Sequence, residues 1–516
     1  MADAGPPRFV STRDERPEPK LYTLDDAVLL GWAPPDEAGG LPGMFVPTAI
    51  PTLSKAELQR WRGLSYKEVC FELLSLFRDD ESSVITSDEL RSLVLDSECK
   101  LVPVVSLDSP SSARKIHVAE LWHGPTLAFK DLSISIFMKY LDCLCRKQNR
   151  KTNLLVATSG DTGSAAIDGV LTTACTHISA TVLFPSRAIS SVTLEQEWQM
   201  VRHAEHPNIN VLCCEGTSDD LDVVIERVFA DEEFKGRHNL STVNSVNVLR
   251  LIVQAAHYVH VYLSLGLGAE GASFFVPSGG MGHLCSGVIA RKLLSGLGTV
   301  RLVGCVNENK AFHTLMSEGE LRSKGMKLKK TLAPSMDIVV PYNLERMLFF
   351  SNDKPKLKLK LKRWKVEGTL ELSQHEKSAF GEGLGVAAGT TDDSAIKATI
   401  RAWSVGFGYT IDPHTAVAAA VAAEVQGSGP AVIVMACAHP LKFRGTVEAA
   451  LGKPASEWVL EKDKKDQAVR DLLSLDPNSA DTLSGTPGLV HFRKSGQEWA
   501  DDWTQKLRSL LSSTCL

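Results

Sequence analysis

One lysine raises the first chemical question. In "LWHGPTLAFKDLSISIFMKYLDCL", residues 121–144, Gly124 and Pro125 break a strand-like run over 117–121, and Leu132, Ile136, Tyr140 and Leu144 then recur at helical spacing. Lys130 is thereby expected in the first turn of a helix. Free backbone N–H groups there present positive partial charge, which disfavours an ammonium, as burial also does. Such a lysine is either exposed and without consequence or set up as a nucleophile.

Three other junctions invite the same scrutiny. "ATSGDTGSAAIDG", 157–169, follows the apolar run "NLLVA" and offers small residues, hydroxyls and glycines where a helix should begin. A helix N-terminus approached by such a backbone binds anions, although Asp161 or Thr162 acting as a plain N-cap is the simpler reading. "VPSGGMGHLCSG", 276–287, repeats the arrangement. Its glycine spacing fits neither the dinucleotide fingerprint, because Cys285 stands where a third glycine belongs, nor the P-loop, so a cradle for a single phosphate remains. "MACAHPLKF", 435–443, puts a thiol and a histidine at the end of an apolar run. A nucleophilic lysine, a phosphate cradle and a second anion loop together suit pyridoxal 5'-phosphate, which needs an amine for its aldehyde, donors for its phosphate and a partner for its ring nitrogen.

The elements that must hold these residues alternate. Apolar strands are expected at 153–157, 178–184, 209–214, 273–277, 300–306 and 431–437, with helices between them, which describes an α/β fold around a mostly parallel sheet whose ligands bind beyond the strands' carboxyl ends. Before them, residues 21–100 carry helical periodicity and a capping pattern at Thr86–Glu89. We divide the chain into a mobile tail (1–20), a helical N-terminal domain (21–100), an α/β core of two subdomains (101–450) and a peripheral extension (451–516). The basic run "KPKLKLKLKRWK", 354–365, alternates Lys with Leu and reads as an exposed edge strand or an insertion with one solvated face.

Composition sets outer limits. The 516 residues carry 56 Lys and Arg against 61 Asp and Glu, a balance without the signature of a nucleic-acid binder. No run is long and apolar enough for a membrane span, and the N-terminus lacks an apolar signal core. Eleven cysteines show neither disulfide nor zinc spacing. His203/His206 and His257/His260 lack a third ligand nearby, so no metal is expected, and a cytoplasmic monomer or homodimer is.

Six motifs occur in family order. "HGPTLAFKD" (123–131), "TSGDTGSAA" (158–166), "NSVNVLR" (244–250), "PSGGMGH" (277–283), "IDPHTAVA" (411–418) and "CAHPLKF" (437–443) closely resemble those of the threonine synthase family, over about residues 10–450. The resemblance implies the tryptophan synthase β-like fold, PLP fold type II, with pyridoxal phosphate as cofactor and O-phospho-L-homoserine as substrate. It implies that Lys130 holds the cofactor and shuttles protons, and that Gly279, Gly280, Met281, Gly282 and His283 form the cofactor-phosphate loop. Cys437 stands where the family usually places a threonine at the ring nitrogen. Ser159, Gly160, Asp161 and Thr162 match the loop for the substrate carboxylate. Asn244, Ser245 and Arg250 match the substrate-phosphate contacts, with Arg187 assisting. The family's cofactor loop runs closer to Gly-Asn-Phe-Gly-Asn, so Gly280, Met281 and His283 depart from it. The expected product is L-threonine; threonine-synthase-like phospho-lyases of animals share the framework but give 2-oxobutyrate, and a serine/threonine dehydratase or a non-catalytic scaffold of the same fold are further alternatives.

Overall fold

The computed structural model describes residues 6–36, 40–98, 101–108, 115–173, 176–351, 354–424, 429–476 and 483–513. Two sheets organise it. The larger runs, in spatial order, Val386–Thr390, Val300–Val306, Ala272–Pro277, Ala431–Ala436, Lys115–Glu120 and Val104–Asp108, all parallel except the last pair. The smaller runs Leu489–Phe492, Ile209–Cys214, Ile178–Pro185, Thr152–Ala157 and Leu240–Ser241 and is parallel throughout. Their central strands are continuous apolar runs, and Ile178–Pro185 and Ala272–Pro277 are buried at every residue because helices cover both faces.

Those helices begin where the sequence caps them. Ser54, Ser65 and Thr86 each close a capping box with a glutamate three residues on, so three short N-terminal helices start cleanly. Helix Lys130–Lys147 buries Leu132, Ile136, Tyr140 and Leu144 completely. It lies tightly against helix Asp161–Thr173 because Gly169 has no side chain: a Cβ there would come within 2.6 Å of Met138. Among the described residues no helix is long and apolar enough to cross a membrane.

Three expectations need correction. Residues 1–5 lie outside the described residues, but Phe9–Ser11 form a buried strand paired with Phe45–Pro47, because Phe9 fills the core of the N-terminal domain. Lys354–Glu367 is a helix and not an edge strand: Leu357, Leu361 and Trp364, at helical spacing, are buried, whereas Leu359 is exposed. The C-terminal extension is integral to the core, since Leu489–Phe492 adds a parallel strand beside Ile209–Cys214 and helix Trp499–Ser513 buries Trp503, Leu507 and Leu511.

Candidate active site

The carboxyl ends of strands from both sheets converge on one cavity. Lys130, Ser159, Asp161, Thr162, Asn244, Ser245, Arg250, Gly279–His283 and Cys437 all line it. Gly160 does not; it shapes the turn beneath, with φ +131° and no room for a Cβ beside Gln196. Arg187 is not brought in either. It pairs with Glu197 and is not among the residues that line the cavity.

Lys130 is the first residue of its helix, as the sequence requires. The turn before it is fixed by Asp131, which accepts from the amide of Thr126 at 2.9 Å and from its hydroxyl at 2.5 Å, and Leu127 takes a left-handed conformation (φ 60°). The amide of Phe129 donates to the Cys437 carbonyl at 2.8 Å, tying the lysine to the end of the Ala431–Ala436 strand. The unfavourable helix start is offset by a carboxylate: Lys130 Nζ lies 3.0 Å from Asp161 Oδ2. Asp161 also accepts from Ser335 Oγ at 3.0 Å and Gln196 Nε2 at 2.8 Å, and faces the fully buried ammonium of Lys442 at 3.4 Å. Burial alone would push its carboxyl up, but Lys130, Lys442 and His414 outweigh it and hold the group far below the usual carboxylate range.

Two anion positions open on the same space. In the first, among the described residues, no protein acceptor takes the amides of Gly279, Gly280, Met281 and Gly282, which curl around the N-terminus of helix Gly282–Leu293. Met281 adopts a left-handed conformation (φ 62°), and a Cβ on Gly279 would come within 2.8 Å of the Ser335 carbonyl. Such a nest of free N–H groups suits a phosphate. The second is built on Arg250, which is buried, donates to Ser133 Oγ at 2.8 Å and the Val243 carbonyl at 2.6 Å, and pairs with no carboxylate among the described residues. Burial lowers its guanidinium to about 10, a cost that a bound anion would relieve.

Segment 342–346, which carries no motif or periodicity of its own, locks both positions. Tyr342 OH lies 2.9 Å from Ser245 Oγ, and Asn343 Nδ2 donates to Ser245 Oγ at 2.9 Å and to the Gly280 carbonyl at 3.1 Å. Arg346 Nη1 donates to the Ser245 carbonyl at 2.7 Å. Asn244 braces the floor, its amide donating to the Ala157 carbonyl at 2.6 Å. His414, inside a motif but not singled out, accepts from the amide of Ser335 through Nε2 at 3.0 Å and meets Asp412 through Nδ1 at 2.9 Å.

Opposite lies a wall for a ring. His283 stacks on Phe129 with centroids 4.6 Å apart, and its Nδ1 is 3.9 Å from Cys437 Sγ. Burial, then the charges of Lys130 and Arg250, push His283 down to about 3, so its imidazole is neutral. Burial, then Asp412, raises the Cys437 thiol well above its ordinary value, so it is not a thiolate. A primary amine, a nest of amides that no protein acceptor takes among the described residues and a neutral thiol around one cavity fit pyridoxal phosphate. Lys130 would hold its aldehyde carbon, Gly279–Gly282 its phosphate, and Cys437 would meet its ring nitrogen.

Comparison with known proteins agrees. Residues 8–97 match the family model "Threonine synthase N terminus" and residues 415–481 match "Threonine synthase, C-terminal". The chain is 35% identical to threonine synthase-like 2 of Xenopus laevis, over 73% of this chain and 77% of that one. It is 32% identical to threonine synthase-like 2 of Rattus norvegicus, over 98% and 97% respectively. Threonine synthase of Pseudomonas aeruginosa is 31% identical, over 86% of this chain and 90% of its own. Among solved structures, PLP-bound threonine synthase from Brucella melitensis superposes with a TM-score of 0.79 at 27% identity, covering 99% of both chains.

Proposed function

Since the chain belongs to the threonine synthase family, PLP-dependent lyases of fold type II, we propose that it converts O-phospho-L-homoserine and water to L-threonine and phosphate. The observation that carries this reading is the second anion position. A nest of free amides accounts for the cofactor's phosphate, and a separate buried guanidinium, Arg250, without a carboxylate counter-ion among the described residues, accounts for a phosphate on the substrate. A dehydratase acting on an unphosphorylated amino acid would have no use for it. Among the described residues, eight buried, unpaired cysteines fit a reducing compartment, and we place the protein in the cytoplasm.

When bound, pyridoxal phosphate supplies an electron sink for the charge left at the substrate's Cα. This chain's residues do the rest. Ser159, Thr162 and the turn at Gly160 receive the substrate carboxylate at the start of helix Asp161–Thr173, and Asn244, Ser245 and Arg250 receive its phosphate. Lys130 removes the proton at Cα and then one at Cβ; phosphate leaves Cγ with the bonding pair and stays against Arg250. Lys130 returns one proton to Cγ, which becomes the methyl group; water then adds at Cβ, and Lys130 returns the second proton to Cα so that threonine is released. Asp161 sits 3.0 Å from the amine and holds it over the cavity between these transfers.

A second reading is favoured by a specific feature. The loop "GGMGH" departs from the biosynthetic pattern at Gly280, Met281 and His283, and the chain is 35% identical to a threonine synthase-like 2 protein. On that reading the first half of the reaction is shared, and the product is 2-oxobutyrate with ammonia. Quantifying phosphate, threonine and 2-oxobutyrate together, from PLP-loaded protein given O-phospho-L-homoserine, separates the two. Threonine equal to phosphate supports the first, 2-oxobutyrate equal to phosphate the second, and the absence of phosphate would refute both.

A further inference from the structure

A second cavity, of about 430 Å³, lies against the catalytic one and shares Asn244, Tyr342 and Asp222 with it. Its walls come from parts of the chain that the reaction does not use: Trp32 and Met44 of the N-terminal segment, Ile225 of helix Ser218–Ala230, and Leu361 and Trp364 of the basic helix Lys354–Glu367. A lining this apolar, with two indole rings, takes organic surface. Its charge is mixed at the rim, where Lys324 is exposed, and negative along one wall. Asp219, Asp222 and Glu226 occupy one face of their helix and all reach the cavity. Glu226 is paired with Lys365, Glu345 with Arg13 at 2.7 Å, and Asp219 accepts the amide of Val339 at 3.3 Å. Asp222 has no donor among the described residues, and burial, then the charges of Asp219 and Glu226, raise its carboxyl well above the ordinary value, a cost that a bound ammonium would relieve. The space is therefore ill suited to the anionic substrate. A different recess meets the catalytic cavity at Ser159 and Ser218 and offers hydroxyls and Lys330, which suit an anion.

We propose that this second cavity is a binding site for a small organic cation, with an apolar body against Trp32 and Trp364 and an ammonium on Asp222. Tyr342 couples it to the catalytic cavity, because the phenol ring lines the second site while its hydroxyl holds Ser245 Oγ. That coupling rests on the reaction proposed above; the binding itself does not.

Calorimetric titration of the full-length, PLP-loaded protein tests the binding without substrate. The probes are N,N-dimethylphenethylamine, a tertiary amine that cannot condense with the cofactor's aldehyde, and the neutral 2-phenylethanol. The amine is expected to bind about tenfold or more tightly than the alcohol. Asp222→Asn should remove that preference and leave the alcohol unchanged. Val340→Trp, which fills the cavity from its exposed rim, should abolish binding of both probes. Equal affinities in the unaltered protein, no heat from the amine, or an amine affinity that neither variant changes overturns the proposal.

Discussion

Two helices begin at the wall of the catalytic cavity and treat charge in opposite ways. Lys130–Lys147 opens with an ammonium, and a carboxylate from another strand end, Asp161, lies 3.0 Å from it. Gly282–Leu293 opens on amides that have no protein acceptor among the described residues. The same partial charge that disfavours a cation at the first favours an anion at the second. The first start is complete within the protein, whereas the second is complete only when a ligand arrives. Damage at the first should therefore appear in the chemistry and in the stability of the chain itself, and damage at the second in ligand affinity.

The largest effect should follow from Lys130→Ala. With no amine to move protons at the substrate, phosphate release should fall by about three orders of magnitude. A variant that kept a tenth of the activity or more would remove Lys130 from the reaction and with it the meaning of the first helix start. Next is Asp161→Asn, which leaves Lys442 buried without its carboxylate. Urea unfolding should show a loss of about 3–5 kcal/mol; a loss below about 1 kcal/mol would mean that the ion pair does not complete the helix start.

At the second start, Gly280→Asp sharpens the contrast. Its backbone does not require glycine, but a Cβ would press on the Tyr342 ring at 3.1 Å and the ring must give by a few tenths of an ångström, so the cofactor-free protein should lose no more than about 1 kcal/mol. A carboxylate in the amide nest should weaken pyridoxal phosphate by about a hundredfold in equilibrium dialysis. Unchanged affinity would place the cofactor's phosphate elsewhere.

Both starts were legible in the sequence, whereas the residues that brace them were not. Lys130 follows a short strand closed by Gly124 and Pro125, and the glycine loop follows the buried run Ala272–Pro277, so local pattern alone located both. Tyr342, Asn343 and Arg346 carry no such signal, because they act on Gly280 and Ser245 through hydrogen bonds from about a hundred residues or more than sixty residues away, and no periodicity records that. Arg187 failed for the same reason: its partner Glu197 is a tertiary fact. The basic run misled because its Lys-Leu alternation has a strand's period, while the burial that decides the matter follows Leu357, Leu361 and Trp364. The strand Leu489–Phe492 is four residues long and only partly buried, too short to stand out before its pairing partner is known.

The smallest effect tests the histidine that opens the second helix. His283 is neutral because burial, then Lys130 and Arg250, push it down to about 3 from an ordinary 6.5. Between those values the unfolded chain binds a proton at this residue that the folded chain does not. Stability therefore rises with pH across that window; the contribution is complete above 6.5 and is lost as the pH falls towards 3. Asparagine carries no proton, so His283→Asn should flatten the acid limb by up to about 1.4 kcal/mol per pH unit, read from urea midpoints at neutral pH and at about pH 5. Part of the slope should survive, because His257, whose Nδ1 lies 3.5 Å from His283 Nε2, is likewise lowered by burial, with His283 the next contributor. Parallel limbs in the two proteins would mean that His283 charges as readily folded as unfolded. The second helix start would then carry a cation of its own, and its contrast with the first would lie in the missing carboxylate alone.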